Sequence, residues 1–293
     1  VIRSLPAIAL LALAGCRAPS QTFTQPVKLG GVLVSPEVLN EGQRTYAAFC
    51  TSCHGEKGDG LGPSGRGLHP PARDFTRGIF KFGSVPAGQL PTDEDLIRIV
   101  AGGLRSTAMT GWEVPRPQLQ AVAQYVKTFS PRWRDERAGE PIRPTPDPWT
   151  DRVAVAVERG GQVYHGLARC QACHPAYISR EDVERSARAL TGAGAVPDRP
   201  EPYASIERDS DFGVRIRAPD FTHDELSSVR PEHWREDLYR VIAAGVGGTA
   251  MPTWRGSLEE RDLWALVHYV DWLARMRGTP QGERLLQQLR AHP

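Results

Sequence analysis

Lysine is scarce in this chain: Lys28, Lys57, Lys81 and Lys127 are the only lysines among 36 basic residues, so arginine carries nearly all the positive charge. That bias points to codon usage rather than mechanism. An excess of one sign is missing too, since 36 Lys+Arg face 34 Asp+Glu for a net charge of +2. No basic field for nucleic acid results. Long hydrophobic runs are missing as well: none reaches the about 20 residues of a bilayer-crossing helix, which excludes a polytopic membrane protein. What remains is an ordinary globular composition of 293 residues, 40% apolar and 24% charged. It has room for two domains of roughly 100–150 residues and is neither disordered nor fibrous.

Cysteine is sparse but placed with purpose. Besides Cys16 there are two pairs, Cys50-Thr51-Ser52-Cys53-His54 and Cys170-Gln171-Ala172-Cys173-His174, each C-x-x-C followed at once by histidine. C-x-x-C alone is shared by dithiol redox sites, zinc sites and haem attachment. A thioredoxin-like site wants a strand ahead of the motif, whereas residues 36–49 read as a helix. A four-thiolate zinc site would use both pairs at once, yet they lie 120 residues apart and each has its own histidine. In C-x-x-C-H the two thiols add across the haem vinyl groups while the adjoining imidazole reaches iron, so tether and axial ligand come from five consecutive residues. Two copies in matching contexts favour haem, and each haem then needs a sixth ligand.

An internal repeat supplies it. Residues 94–112 and 236–254 align without a gap, with 10 of 19 positions identical, including Asp95/Asp237, Arg98/Arg240, Gly103/Gly245, Met109/Met251 and Trp112/Trp254. The chain is thus two copies of one unit: a helix ending in C-x-x-C-H, a loop with proline shortly before phenylalanine, a helix, a glycine turn bearing methionine, and a last amphipathic helix. A thioether sulfur opposite imidazole favours ferrous iron, and a methionine on a tight turn is suited to reach that face. Met109 and Met251 are the candidates; the third methionine, Met276, sits on an apolar helical stripe and reads as core packing.

Both halves resemble class I cytochrome c domains, over roughly residues 36–130 and 153–276. The resemblance implies two covalently bound haem c groups held by Cys50, Cys53, His54 and by Cys170, Cys173, His174, with His54, Met109, His174 and Met251 as iron ligands. It also implies a proline carbonyl orienting each proximal imidazole, for which Pro71 and Pro219 are the nearest candidates. Departures are visible. The histidine-to-methionine spacing is 55 residues in the first copy and 77 in the second, the extra length falling mainly in 176–216. Met251-Pro252 is matched by Met109-Thr110, which suggests unequal haem potentials.

The expected organisation is an export signal over 1–15 and a lipid-anchored leash over 16–35. A cytochrome domain follows over 36–130, then a semi-rigid Pro-rich linker over 131–152, a second domain over 153–276 with its insertion, and a tail over 277–293. Leu13-Ala14-Gly15-Cys16 resembles a bacterial lipobox, with Cys16 as the lipidated residue; more than one acyl chain anchors well. With no alternating pattern long enough to build a sheet, the fold class is all-α: two tandem class I cytochrome c-like domains. The last helices, about 117–129 and 258–276, carry Tyr125 and Tyr269 in equivalent settings, facing the N-terminal helix of each unit. Glu94-Asp95 and Glu236-Asp237 read as helix starts. Trp112 and Trp254 read as packing beside the methionine turns, and His69, His165, His223, His233, His268 and His292 as surface or core residues.

The function read from these residues is transfer of single electrons between a redox-protein donor and acceptor by a membrane-tethered di-haem cytochrome. It would act as a shuttle or as the cytochrome subunit of a larger respiratory, photosynthetic or metal-oxidoreductase complex. Its folded mass would lie in the periplasm or on the outer surface. With two protein ligands on each iron, the expectation is no enzyme, no small-molecule substrate and no nucleic-acid partner. The rival is a di-haem peroxidase-type enzyme in which one distal methionine, Met109, is displaceable.

Overall fold

The computed structural model describes residues 23–192 and 199–291; the expected signal segment, Cys16 and His292 lie outside the described residues. The helices in chain order are α1 (Pro36–Phe49), α2 (Thr51–His54), α3 (Asp93–Gly102), α4 (Arg116–Lys127), α5 (Arg132–Asp135), α6 (Val153–Gln162), α7 (Arg180–Thr191), α8 (Trp234–Ala244), α9 (Glu260–Ala274) and α10 (Pro280–Ala291). Two small antiparallel hairpins join them, β1–β2 (Val27–Leu29, Val32–Val34) and β3–β4 (Glu207–Asp209, Arg215–Arg217). The fold is all-α, and no described helix is long and apolar enough to cross a membrane.

Each half is built on one helix crossing. Ser35 caps α1 by accepting from the Val38 amide, and Pro36 opens the helix where an amide proton has no intrahelical use. α1 then crosses α4 at Gly42, where a methyl group would overlap the Ala121 carbonyl. In the second half α6 crosses α9 at Gly160, where a methyl group would overlap the Ala265 carbonyl. Beside each glycine a tyrosine pair packs across the crossing: Tyr46 on Tyr125 at 5.3 Å and Tyr164 on Tyr269 at 5.4 Å between ring centroids. The backbone contact is what lets the rings meet. Around α9 a single large core forms with Leu238, Tyr239, Leu263 and Leu273; the first half splits its core between Leu39, Leu90 and Trp133 on one side and Tyr46, Val122 and Val126 on the other.

Four segments differ from expectation. Residues 27–34, placed in a leash, form the β1–β2 hairpin: Val-Lys-Leu-Gly-Gly-Val-Leu-Val reverses at Gly30-Gly31, both at positive φ, and buries Leu29 and Val34 in the first domain. The 131–152 stretch is more than a spacer. Trp133 of α5 is fully buried and its carbonyl accepts from the Gly30 amide at 2.6 Å. Further on, Thr145 accepts from the Trp264 indole and Asp147 from His268 at 2.8 Å, which fastens the strap to α9. Residues 277–291, expected as part of a C-terminal tail, include α10, which Leu285, Leu286 and Leu289 dock onto the second core. The 176–216 insertion contains α7, which lies against the end of α6 with Gly166 under the Ser186 carbonyl, and the β3–β4 hairpin.

The two halves meet reciprocally. The Arg105 amide of the first methionine loop donates to the Ser227 carbonyl at 2.9 Å, and the Gly247 amide of the second donates to the Lys81 carbonyl at 3.0 Å. Arg105 and Gly247 each lie four residues before their methionine, and Lys81 and Ser227 each six residues after the phenylalanine of a shared Asp-Phe-Thr triplet. Arg98 and Arg240 also come within reach of each other's charge; burial and then this repulsion hold Arg240 below the usual arginine range, while Asp95 and Asp237 pair with them at 2.9 and 2.6 Å.

Because each crossing has no space for a methyl group, Gly42→Ala and Gly160→Ala should each destabilise by about 1–3 kcal/mol as overpacking mutations do. Denaturant midpoints of the purified protein measure this; an unchanged midpoint for both would mean the crossings are looser than the backbone shows.

Candidate haem sites

The C-x-x-C-H segments are single helical turns placed by those crossings. The His54 amide bonds the Cys50 carbonyl at 2.9 Å and the His174 amide bonds the Cys170 carbonyl at 3.0 Å, so residues three and four apart share a face. Each pair of cysteines and its histidine is thereby gathered on one turn. Cys50, Cys53, Cys170 and Cys173 are free and half-buried; burial pushes the Cys50 thiol up to about 11 and the Cys170 thiol up to about 12. Among the described residues no group of three or more His, Cys, Asp or Glu is assembled for a metal ion.

Both imidazoles are oriented alike. His54 Nδ1 lies 3.0 Å from the Arg73 carbonyl and His174 Nδ1 lies 2.8 Å from the Pro219 carbonyl. A carbonyl only accepts, so Nδ1 carries the proton and Nε2 keeps a lone pair. No described protein group bonds Nε2 in either ring, and burial holds both imidazoles below their usual range, hence neutral. Phe75 stacks on His54 at 4.6 Å and 23°, Phe221 on His174 at 4.7 Å and 20°. A neutral imidazole with a fixed ring plane and a free Nε2 is what an axial iron position requires.

Pro71 does not take the orienting role expected of it. Arg73 does, because Arg73-Asp74-Phe75-Thr76 aligns with Pro219-Asp220-Phe221-Thr222, and both aspartates cap the turn by accepting from the threonine amide and hydroxyl at 2.6–2.9 Å. The matching Asp-Phe-Thr triplets were the signal for this register. The same triplets carry the two stacking phenylalanines, which the loop pattern alone did not assign a role. Tyr46 Oη donates to the Gly55 carbonyl at 2.9 Å and Tyr164 Oη to the Pro175 carbonyl at 3.0 Å, tying the segment after each histidine to the helix crossing.

The second copy has two more residues between that tyrosine and the first cysteine. A wide turn over Val163–Leu167 and Arg169 in the left-handed region (φ 53°) absorb them. His165 holds that turn with both ring nitrogens used, Nδ1 on the Gly161 carbonyl at 2.8 Å and Nε2 accepting the Tyr177 amide at 3.2 Å. It is a structural histidine.

The methionine turns coincide in detail. α3 and α8 end at Gly103 (φ 69°) and Gly245 (φ 77°), positions where a side chain would meet the Met109 and Met251 carbonyls. Thr107 Oγ1 donates to the Leu104 carbonyl at 2.7 Å and accepts the Met109 amide at 3.1 Å; Thr249 repeats this with Val246 and Met251 at 2.7 and 3.2 Å. Thr110 in place of Pro252 changes neither bond. Met276 is buried core, and Trp254 joins the second core, whereas Trp112 packs at a tilt on Phe49, the neighbour of Cys50, with ring centroids 5.2 Å apart.

The family model for cytochrome C oxidase, cbb3-type, subunit III matches residues 37–126 and 155–270, one stretch in each half. The chain belongs to this cytochrome c family. As a class I cytochrome c protein with two domains, it is built to carry covalently bound haem c. No curated protein sequence matches the cytochrome. Among solved structures it resembles a chain of the Kuenenia stuttgartiensis reducing HAO-like protein complex Kustc0457/Kustc0458, at 29% identity and a TM-score of 0.62, over 80% of this chain and 95% of that one. This likeness corrects the expectation of no enzyme, since the neighbour belongs to a reducing HAO-like protein complex.

Removing the tyrosine hydroxyls tests how far these turns depend on the crossings. Tyr46→Phe and Tyr164→Phe should each cost about 1 kcal/mol for a lost internal hydrogen bond, and Tyr164, whose ring is fully enclosed, up to about 3 kcal/mol. Unfolding followed by tryptophan fluorescence measures both; equal stability of all three proteins would remove the hydroxyls from the account.

Proposed function

We propose that this cytochrome carries two haem c groups and serves as the electron-transferring subunit of a larger redox enzyme complex. Cys50 and Cys53 hold one group and Cys170 and Cys173 the other, through thioether bonds. His54 and His174 would offer Nε2, and Met109 and Met251 sulfur, to the haem irons. Haem supplies reversible one-electron chemistry when bound; the chain sets orientation, exposure and polarity. The observation that carries this reading is duplication of geometry: the imidazole–carbonyl bond and the threonine-braced methionine turn occur in both halves with near-identical distances. A structural role alone would not preserve both twice.

Two features support a complex over a lone shuttle. The solved neighbour sits in a multi-protein redox assembly and is spanned over nearly its whole length. The halves are also strapped into one body by the 131–152 segment and the methionine loops, which suits a fixed wire with an entry and an exit. Donor and acceptor are redox proteins. In this reading Cys16 is lipidated and tethers the protein to a bacterial membrane, facing the periplasm or the outer surface.

Alkaline pyridine spectra of the purified protein should count two haems per chain that resist extraction by acid acetone. Met109→Ala and Met251→Ala should each turn one haem high-spin while the other keeps its spectrum, and affinity purification from detergent extracts should retain a larger partner. Colourless protein, extractable pigment, or unchanged spectra in both variants would overturn the assignment. Intact-mass analysis of the native protein reads the acyl chains on Cys16.

A further inference from the structure

The β3–β4 hairpin of the insertion ends in Asp211-Phe212-Gly213, and this tip touches both haem sites. The Asp211 amide donates to the Gly248 carbonyl at 3.0 Å, and the Phe212 ring fills the space where a side chain at Gly248 would stand, three residues before Met251. On its other side Phe212 lies under the guanidinium of Arg73, 3.6 Å from carbon to ring centroid. Arg73 is the residue whose carbonyl orients His54.

Arg73 is unusual in its surroundings. It makes no ion pair among the described residues; the Asp74 carboxylate, hydrogen-bonded to Thr76, acts on it only through its field, and a second basic side chain, Lys81, stands near it, also without an ion pair. Burial brings the Arg73 guanidinium down to about 10, and its charge acts on the His54 ring. The equivalent position in the second half is Pro219, which has no charge, and the equivalent of Lys81 is Ser227. The second site does have Arg199, whose charge also acts on the His174 ring, but that guanidinium faces the carbonyl oxygens of Gln171, His174, Glu201 and Ala204, and the Asp220 carboxylate opposes it at the ring, whereas Arg73 acts on His54 without such an opponent. A half-buried positive charge unopposed at the imidazole is therefore a property of the first site.

We propose that Arg73, capped by Phe212, raises the reduction potential of the first haem site, so that docking of the second domain's hairpin sets the potential of the first domain's haem. The inference rests on the two-haem reading above. A fixed cation near an iron centre favours the state holding one more electron, and the favour grows where water is excluded. The flat, apolar face of Phe212 excludes water from one side of the guanidinium and attracts the cation to its π-cloud. The step affected is a one-electron exchange: the donor iron is oxidised by one electron as the first site is reduced by one, with no bond made or broken.

Potentiometric titration of the holoprotein, following the haem bands, tests this. Arg73→Gln keeps the backbone carbonyl on His54 and should lower one of the two potentials, by about 59 mV for a tenfold fall in that reduction constant, leaving the other in place. Arg73→Lys should restore most of the shift. Phe212→Ala, which touches neither C-x-x-C-H segment, should lower the same potential in the same direction, and it serves where Arg73→Gln loses a haem. Two haems with both potentials unmoved in Arg73→Gln and Phe212→Ala, or opposite shifts in the two variants, would overturn the proposal. One haem per chain in the unmutated protein would instead overturn the two-haem reading.

Discussion

A carbonyl oxygen within 3 Å of Nδ1 decides which nitrogen of each histidine is available, and the rest of each site is arranged around that bond. The loop carrying the carbonyl is shaped by its own Asp-Phe-Thr turn, whose phenylalanine then stacks on the same imidazole. The histidine comes from the other direction, on a turn hung from the first helix of the domain. That helix is located by a glycine crossing, and a tyrosine one turn beyond the glycine ties down the residue after the histidine. Ring plane, tautomer and depth of burial are thus fixed by three separate segments meeting at one ring.

Much of this was legible because it is written twice. The C-x-x-C-H pairs, the methionine turns and the last helices show up as a repeat, and the structure builds both copies alike. What escaped was governed by contacts outside the repeat or by pairing too short to show as a pattern. Eight residues of Val, Leu, Lys and Gly make a hairpin only because Leu29 and Val34 find a core and Trp133 lies in place to accept from Gly30. Pro-rich composition over 131–152 suggests a spacer, but α5 forms within it and side chains such as Thr145, Asp147 and Trp149 bind it to α9, and composition does not register that. In the first copy the orienting carbonyl was misplaced by two residues because proline was sought, while the chemistry the two copies share is the carbonyl, which any residue owns.

The departures from the repeat are physically consistent with each other. Where the second half lengthens the approach to its first cysteine by two residues, a wide turn and His165 absorb the change, and α7 of the insertion packs over the place. Gly248 stands where the first copy has Ser106, and both residues are at positive φ. Serine is strained there, but its hydroxyl reaches Glu225 of the other half at 2.6 Å; glycine is unstrained and leaves room for Phe212. Each replacement is explained by what the opposite domain presents.

In the proposed reading each methionine loop holds its sulfur steady through changes of iron charge, and each loop is braced by the other domain: the first by Arg105 on Ser227 and by Arg105 and Ser106 on Glu225, the second by Gly247 on Lys81 and by Thr253 on the Ala87 amide. Bracing from outside lowers the reorganisation each loop undergoes, because a turn held at both ends has fewer alternative positions than one held by its own threonine alone. In that reading the same contacts would hold the two sites at a fixed separation, so that the rate between them would be set by structure rather than by domain encounters. An interface made of the two methionine loops then serves rigidity and mutual influence at once, with the Arg73–Phe212 contact beside it.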